Sequence, residues 1–328
     1  MSRVLIVGKI HPKGLAILEA EDGLEIEMIT DPDAELSKEK LATTDALLIR
    51  YGKISEADTE QMPNLRIVSR HGVGCDNLPV AALGARGVPV TIVGPVTAGS
   101  VAEQVMAMLM ALIKKIALYD AAVRKGDWGI RDSLQVGELA GRTLMILGFG
   151  RIGREVARRA LAFDMKVAIH DPFVSADEIQ AAGYQAVEDW RATLPEMDVI
   201  SLHLPMTAET RGLIGAGEIA AMKSTAILIN AARGGLVDEE ALYTALTGPM
   251  SRGGAGMDCF DSEPPTPDQP LLSLPNVVLS PHSASLSEEA AQRMGIVAAQ
   301  NILDGLHGKL KAELVFNLKA LQEAGHEL

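Results

Sequence analysis

The chain has 328 residues, 48% of them apolar and 22% charged, a composition that makes a packed protein with room for two domains and excludes an intrinsically disordered one. Its 30 basic and 43 acidic residues leave a formal charge of −13, which argues against a nucleic-acid partner or an anionic membrane surface, because both need a broad basic face. Two cysteines, Cys75 and Cys259, stand far apart in no metal-ligand spacing, so neither a disulfide framework nor a metal is expected, and a cytoplasmic setting is.

The chain opens on an apolar run with no charged-then-apolar leader before it. From there to about residue 93, strand-like runs (Val4–Val7, Leu24–Ile29, Ala46–Ile49, Leu65–Ser69, Val88–Val93) alternate with helical patterns (Lys13–Ala20, Ser37–Ala42, Glu56–Gln61, Pro79–Ala85). Such alternation predicts a parallel sheet with helices on both faces. Next, Ser100-Val101-Ala102-Glu103 reads as a capping box that opens one long helix, ending near Lys125 before Gly126. Glu103, Gln104, Lys114 and Lys115 interrupt its apolar stretch, so it is not expected to span a membrane. It is apolar over most of its circumference, with Met106, Met108 and Met110, and more than one surface must cover it. A homodimer interface is the favoured cover, ahead of an intrachain core.

A second α/β run covers Thr143 to His282, with strands at Thr143–Leu147, Val167–His170, Val199–Leu204, Ala226–Asn230, Gly254–Met257 and Val277–Leu279. Two sheets imply two domains, with ligands at the carboxyl ends of their strands. The last segment, Leu286 to about Leu306, reads as a helix followed by a polar tail.

Within that second run, Gly148-Phe149-Gly150-Arg151-Ile152-Gly153 lies between a strand and a helical pattern, and Asp171 closes the next strand. Gly148 suits a tight turn, Gly150 a close approach of backbone to a pyrophosphate, and Gly153 close helix packing. The helix N-terminus offers free N–H groups to phosphates. Asp171, about twenty residues on, suits a ribose 2′-hydroxyl and repels a 2′-phosphate, which selects NAD over NADP.

Three further residues end strands in the same half: Arg233 after Leu228-Ile229-Asn230-Ala231-Ala232, Glu263 in Asp258 to Pro265, and His282 after Ser280-Pro281. A guanidinium grips a carboxylate with two parallel hydrogen bonds, and a histidine held by a carboxylate is an acid/base unit for carbonyl–alcohol interconversion. Each residue taken alone also fits a surface charge, a loop acid or a core histidine.

Together with the glycine turn, these residues resemble the D-isomer-specific 2-hydroxyacid dehydrogenases. The resemblance covers nearly the whole chain through Gly72-Val73-Gly74-Cys75-Asp76-Asn77, Ser100 to Glu103, Gly148 to Gly153, His203-Leu204-Pro205, Asn230 to Gly234, Asp258 to Pro264 and Ser280-Pro281-His282. It implies two doubly wound parallel-sheet domains: a Rossmann-type NAD-binding domain over 98–284, and a flavodoxin-like substrate domain made of 1–97 and 285–328. The active site would lie in the interdomain cleft, and a dimer would form through the long connecting helix. The resemblance gives Arg233 the substrate carboxylate and carbonyl, His282 the proton, and Glu263 the task of raising the pKa of His282. Arg50 and the backbone of Val73 and Gly74 would help bind substrate. Arg151 and Ile152 would lie over the pyrophosphate, Asp171 on the ribose, and His203, Leu204 and Pro205 beside the adenine. Ala231 and Asp258 would hold the nicotinamide carboxamide.

Departures from the family pattern are Met145 inside a strand, Cys75 and Cys259 at aliphatic positions, and His71 beside the carboxylate cradle. The chain also stops short of the regulatory domain found on many phosphoglycerate dehydrogenases. A phosphite dehydrogenase or a dinucleotide-sensing corepressor on the same fold is the alternative reading; formate dehydrogenases carry glutamine where Glu263 stands.

Overall fold

Most apolar runs near the N-terminus pair side by side as parallel strands because they are apolar enough to be covered on both faces; Leu24–Ile29, interrupted by Glu25 and Glu27, is only partly buried. A computed structural model describes residues 1–31, 34 and 36–327. The chain divides into two compact units, Met1–Thr97 with Leu286–Leu328, and Ala98–Ser285.

The first unit begins with β1 (Ser2–Val7), α1 (Pro12–Glu19), β2 (Leu24–Ile29), α2 (Lys38–Ala42), β3 (Ala46–Ile49), α3 (Glu56–Glu60), β4 (Ile67–Arg70), α4 (Val80–Ala85) and β5 (Val90–Thr91). The strands form a parallel five-stranded sheet in the order β2-β1-β3-β4-β5. Ser37 and Ser55 cap α2 and α3 through their hydroxyls, as helix starts demand.

The second unit comprises α5 (Ala98–Ile113), α6 (Ile116–Arg124), β6 (Thr143–Leu147), α7 (Arg151–Ala162), β7 (Lys166–His170), α8 (Ala176–Ala181), β8 (Gln185–Ala186), α9 (Trp190–Thr193), β9 (Val199–Leu202), α10 (Ala216–Ala221), β10 (Ile227–Asn230), α11 (Glu239–Thr247), β11 (Gly254–Met257) and β12 (Val277–Leu279). Its parallel seven-stranded sheet runs β12-β11-β10-β9-β6-β7-β8. From β6 the chain builds outward through β7 and β8, then returns to place β9 on the other side. The carboxyl ends of β6 and β9 therefore form the switch point where open α/β sheets bind ligands.

The chain then re-enters the first unit as α12 (Glu288–Leu306) and α13 (Leu318–Glu323). Helix α12 buries Met294, Ala298 and Ile302 in one core with Val4, Ile6 and Ile67. It crosses α1 at backbone distance: a Cβ on Gly14 would lie 2.4 Å from the Gly295 carbonyl.

Several expectations need correcting. The long helix is two helices, broken at Lys115, whose φ of 48° is left-handed. Ser100 is not a cap, because α5 starts earlier; its hydroxyl donates to Ala284 O at 2.9 Å, and Glu103 pairs with Arg159 at 3.2 Å. The apolar circumference of α5 is covered within its own unit, where Val101, Val105, Met108 and Leu109 join a core with β6, α7 and β10. No second copy is needed for that. The run Gly94–Ile113 is long and apolar enough to cross a membrane by length and composition, but half of it is buried in the protein. Exposed apolar side chains sit instead on α6 and the segment after it: Ile116, Leu118, Val123, Trp128, Leu134 and Val136.

The polar tail also folds. Val315 bridges Thr91, and Asn317 accepts from Val90 N at 2.8 Å and donates to Val88 O at 3.0 Å. Strand β8 was not anticipated, since two residues are too few to show a period.

Candidate active site

At the end of β6, Gly148 takes a φ of +98°, and a Cβ there would lie 2.4 Å from the His203 carbonyl oxygen. Only glycine combines that conformation with that approach. A Cβ on Gly153 would fall 2.1 Å from Gly148 O, so α7 is drawn tightly onto the turn. Around Gly150, by contrast, a Cβ would meet nothing within 4 Å, and Gly150 caps α7 with no side-chain bond to its first N–H groups. Open space over orphan N–H donors at the start of a twelve-residue helix fits the phosphates of a dinucleotide.

Asp171 braces this turn. Its Oδ2 accepts from Phe149 N at 2.7 Å and its Oδ1 from Phe173 N at 2.8 Å. Phe149 is buried beneath the Arg154 guanidinium, which lies 4.1 Å from the ring centre. Arg151 and Ile152 form the first turn of α7, exposed and half-buried respectively. Beyond β9, Leu204 packs on the core and Pro205 is exposed. The His203 ring lies inside, with Nε2 2.8 Å from Ser201 Oγ and an enclosed Nδ1 that has no partner among the described residues. Burial pushes its pKa down to about 3. His203 thus shapes the turn through its backbone, and its imidazole stays neutral.

The second cluster grows from three adjacent strands, β10, β11 and β12. Asn230, which ends β10, clamps the following loop: Nδ2 donates to Arg233 O at 2.8 Å and Oδ1 accepts from Ala232 N at 3.1 Å. Arg233 is half-buried, and its Nη1 donates to Ala232 O at 2.7 Å. Ala231 beside it is buried. Asp258, just past β11, is buried, and its carboxylate accepts from Ser280 Oγ, from Ser283 N at 2.9 Å and from Ala284 N at 3.1 Å. Its carbonyl accepts from His282 N at 2.8 Å. Both carboxylate oxygens thus hold the His282 loop, a task that sequence reasoning did not assign to Asp258.

His282 has a left-handed φ of 49°, an uncommon state for a non-glycine residue that surrounding bonds must maintain. Its Nδ1 lies 2.7 Å from Glu263 Oε2, while Glu263 Oε1 accepts from Phe260 N at 3.0 Å. The hydrogen bond to Glu263 raises the pKa of His282, against the opposing effect of burial. Burial alone would push the Glu263 carboxyl up, but the His282 and Phe260 hydrogen bonds and the charges of His282 and Arg233 hold it below its ordinary value. Both shifts favour an imidazolium beside a carboxylate, and the Arg233 charge acts on both groups. With Nδ1 engaged, Nε2 is the ring nitrogen left to pass a proton.

In the sequence Cys259 stands at an aliphatic position and in no metal-ligand spacing. Its Sγ lies within 4.8 Å of both the Glu263 carboxylate and a His282 ring nitrogen. No sequence signal marks this. The Asn230 and Asp258 clamps do have one, a lone polar residue closing an apolar strand.

In the first unit, Arg50 ends β3, donates to Lys9 O at 2.5 Å and lies over the Tyr51 ring. Arg70, which sequence reasoning passed over, ends β4 and ties the same region together, donating to Arg50 O (2.6 Å), His71 O (3.0 Å) and Gly74 O (2.9 Å). It thereby fixes the backbone of Val73 and Gly74 beside Arg50. His71 is buried, and neither ring nitrogen has a partner among the described residues. Burial, aided by the Arg50 charge, pushes its pKa down to about 4, so it is neutral near pH 7.

Residues 106–284 match the family model described as the NAD binding domain of D-isomer specific 2-hydroxyacid dehydrogenases. The chain belongs to that family. It is 38% identical to a D-3-phosphoglycerate dehydrogenase of Methanocaldococcus jannaschii over 97% of this chain and 60% of that protein. It is also 38% identical to a glyoxylate reductase of Korarchaeum cryptofilum over 95% of each. The chain thus spans about 60% of the length of the phosphoglycerate dehydrogenase it matches. Among solved structures, the D-lactate dehydrogenase of Aquifex aeolicus, complexed with NAD and lactic acid, superposes with a TM-score of 0.83 at 28% identity, covering 98% of both chains. Both parallel-sheet domains are those of the family, and the second unit is a nicotinamide-dinucleotide-binding domain.

The electrostatics of the His282–Glu263 pair can be read directly. In Glu263→Gln the imidazole loses its charged partner, leaving burial and the Arg233 charge, which act downward, with only the smaller upward effect of the Asp258 charge against them. NMR titration should then show His282 giving up its proton at lower pH than in the wild type. The pair should also add stability only in a window, lost as pH rises through the raised His282 value or falls through the depressed Glu263 value. An unmoved His282 titration would show that the contact does not set its protonation.

Proposed function

We propose that this chain is an NAD-dependent oxidoreductase that reversibly transfers a hydride between NAD(H) and a small D-2-hydroxy acid or its 2-oxo acid. The observation that carries the reading is the 2.7 Å contact between His282 Nδ1 and Glu263 Oε2, with the Arg233 charge acting on both. The nicotinamide, when bound, supplies or accepts the hydride at substrate C2. Gly148, Gly150, Arg151, Ile152 and Gly153 hold the phosphates, Asp171 meets the adenosine ribose, and His203, Leu204 and Pro205 line the adenine side. Ala231 and Asp258 lie on the nicotinamide side.

Arg233 grips the substrate carboxylate and orients the carbonyl, because a guanidinium fork matches two oxygens at once. In reduction, His282 delivers the Nε2 proton to the carbonyl oxygen; in oxidation it removes the hydroxyl proton. Glu263 stabilises the imidazolium and raises the pKa at which the proton is held. The first unit contributes Arg50 and the backbone N–H groups of Val73 and Gly74 to substrate binding. The cations Arg50 and Lys53, with polar His71, suit a substrate with a polar or anionic tail. Glyoxylate, hydroxypyruvate, phosphohydroxypyruvate and sulfopyruvate form the set to assay with NADH, with phosphite and NAD as the competing chemistry. The similarity to phosphoglycerate dehydrogenases and glyoxylate reductases supports that set.

His282→Ala and Arg233→Ala should each lower kcat/KM for the best 2-oxo acid by about 10²- to 10⁴-fold, with NADH binding by fluorescence preserved. Wild-type rates in either variant would sink the assignment. Asp171→Ala removes the carboxylate that repels a 2′-phosphate. Its NAD-to-NADP preference, taken as a ratio of kcat/KM, should fall, whatever the loss of the Phe149 bond does to both cofactors alike.

The enzyme is further proposed to be a cytoplasmic homodimer. The exposed apolar residues of α6 and the segment after it (Val123 at 51% exposure, Trp128 at 66%, Leu134 at 85%) make the patch a second copy would cover. Light scattering should read a dimer for the wild type and a monomer for the double variant Val123→Asp/Trp128→Asp. A monomeric wild type would remove the proposal.

A further inference from the structure

Cys259 takes no part in the chemistry above, yet its sulfur lies against it. Cys259 Sγ, a Glu263 carboxylate oxygen and a His282 ring nitrogen are all within 4.8 Å of one another. One thiolate, one carboxylate and one imidazole make a donor set for a borderline-soft tetrahedral cation, with a fourth position left for water. Two elements supply the set: Cys259 and Glu263 come from the loop after β11, and His282 from the loop after β12. Asp258 pins the loop after β12 to the end of β11, and Glu263 Oε1 accepts from Phe260 N within the loop after β11, so the three donors are preorganised.

The charge balance favours a cation. The Cys259 thiolate and the Glu263 carboxylate would ligate it, and the buried Asp258 carboxylate stands behind them, against the single opposing guanidinium of Arg233. Access also exists on the solvent side, since the Glu263 and His282 side chains are 36% and 45% exposed. Without a cation, burial and the negative charges of Asp258 and Glu263 push the Cys259 thiol well above its ordinary pKa, so the sulfur is protonated. Binding must therefore release the thiol proton, and the imidazolium proton with it.

We propose that Cys259, Glu263 and His282 form a binding site for Zn2+ or a similar thiophilic divalent cation, and that its occupation switches the enzyme off. The bound cation takes both the imidazole and its carboxylate partner out of proton transfer. Cys259 is what makes the site: a histidine–carboxylate pair alone offers two ligands, and the sulfur adds the one that selects a soft metal. The inhibitory consequence rests on the acid/base reading of His282 and Glu263; the site itself does not.

The test uses the full chain, stripped with a chelator and then titrated with Co2+ and with Zn2+. The wild type should take up one Co2+ per chain with a thiolate-to-cobalt charge-transfer absorption, which Zn2+ then displaces. Turnover should fall in step with Zn2+ occupancy and return on adding chelator. Cys259→Val should keep its turnover, lose the thiolate band and bind Zn2+ at least about 100-fold more weakly, since loss of an outer-shell partner alone costs 10- to 100-fold. Cys259→Ala serves as the second variant should valine disturb packing. Cobalt binding without the thiolate band, or unchanged Zn2+ affinity in either variant, would overturn the site. The band and the affinity do not depend on turnover. An inactive chain that still shows both would therefore overturn the acid/base reading and leave the metal site standing.

Discussion

The Asp258 carboxylate accepts from Ser280 Oγ and from the N–H groups of Ser283 and Ala284, while its carbonyl accepts from His282 N–H. These bonds pin the loop after β12 to the end of β11. A buried carboxylate is tolerable only when hydrogen bonds satisfy it, and here those bonds come from the segment that must be held still. They keep His282 in its left-handed conformation and set its Nδ1 against Glu263. Without that restraint the imidazole could relax toward ordinary backbone geometry, and the pair would lose its short contact.

The sheet explains why so few anchors are needed. Strands β10, β11 and β12 are parallel neighbours, each about 4.8 Å from the next. Their carboxyl ends therefore emerge side by side, and residues far apart in sequence start their loops a few ångströms apart. Asn230 fixes the loop bearing Arg233, and Asp258 fixes the loop bearing His282. Glu263 reaches His282 across the end of β11. The same proximity places Cys259 beside the pair.

Elsewhere the constraint is backbone approach. The glycine turn after β6 sits so close to the His203 carbonyl that its shape is decided by contact with β9 as much as by its own dihedrals. Asp171 ties the turn to the end of β7, and Arg70 does the equivalent in the first unit by collecting carbonyl oxygens around Val73 and Gly74. In each place a side chain bonds to backbone and thereby holds a loop at a strand end in position.

The sequence by itself determined whatever depends on local backbone limits and on pattern. The strands Ala46–Ile49, Thr143–Leu147, Gly254–Met257 and Val277–Leu279 were legible residue for residue because short apolar runs bounded by other residues mark parallel strands, and Leu24–Ile29 was legible through its apolar/acidic alternation. The glycine turn was legible because few residues fit each of its positions, and the motifs that carry Glu263 and His282 pointed to two side chains that the structure places 2.7 Å apart. Only the tertiary structure decided the break at Lys115, the cover of α5, the folding of the tail through Asn317, and the approach of Cys259 to the His282–Glu263 pair. All four are set by which surfaces meet. A helix shows the same apolar face whether its own sheet or a second copy covers it, and a cysteine reads the same beside an imidazole as in an inert core.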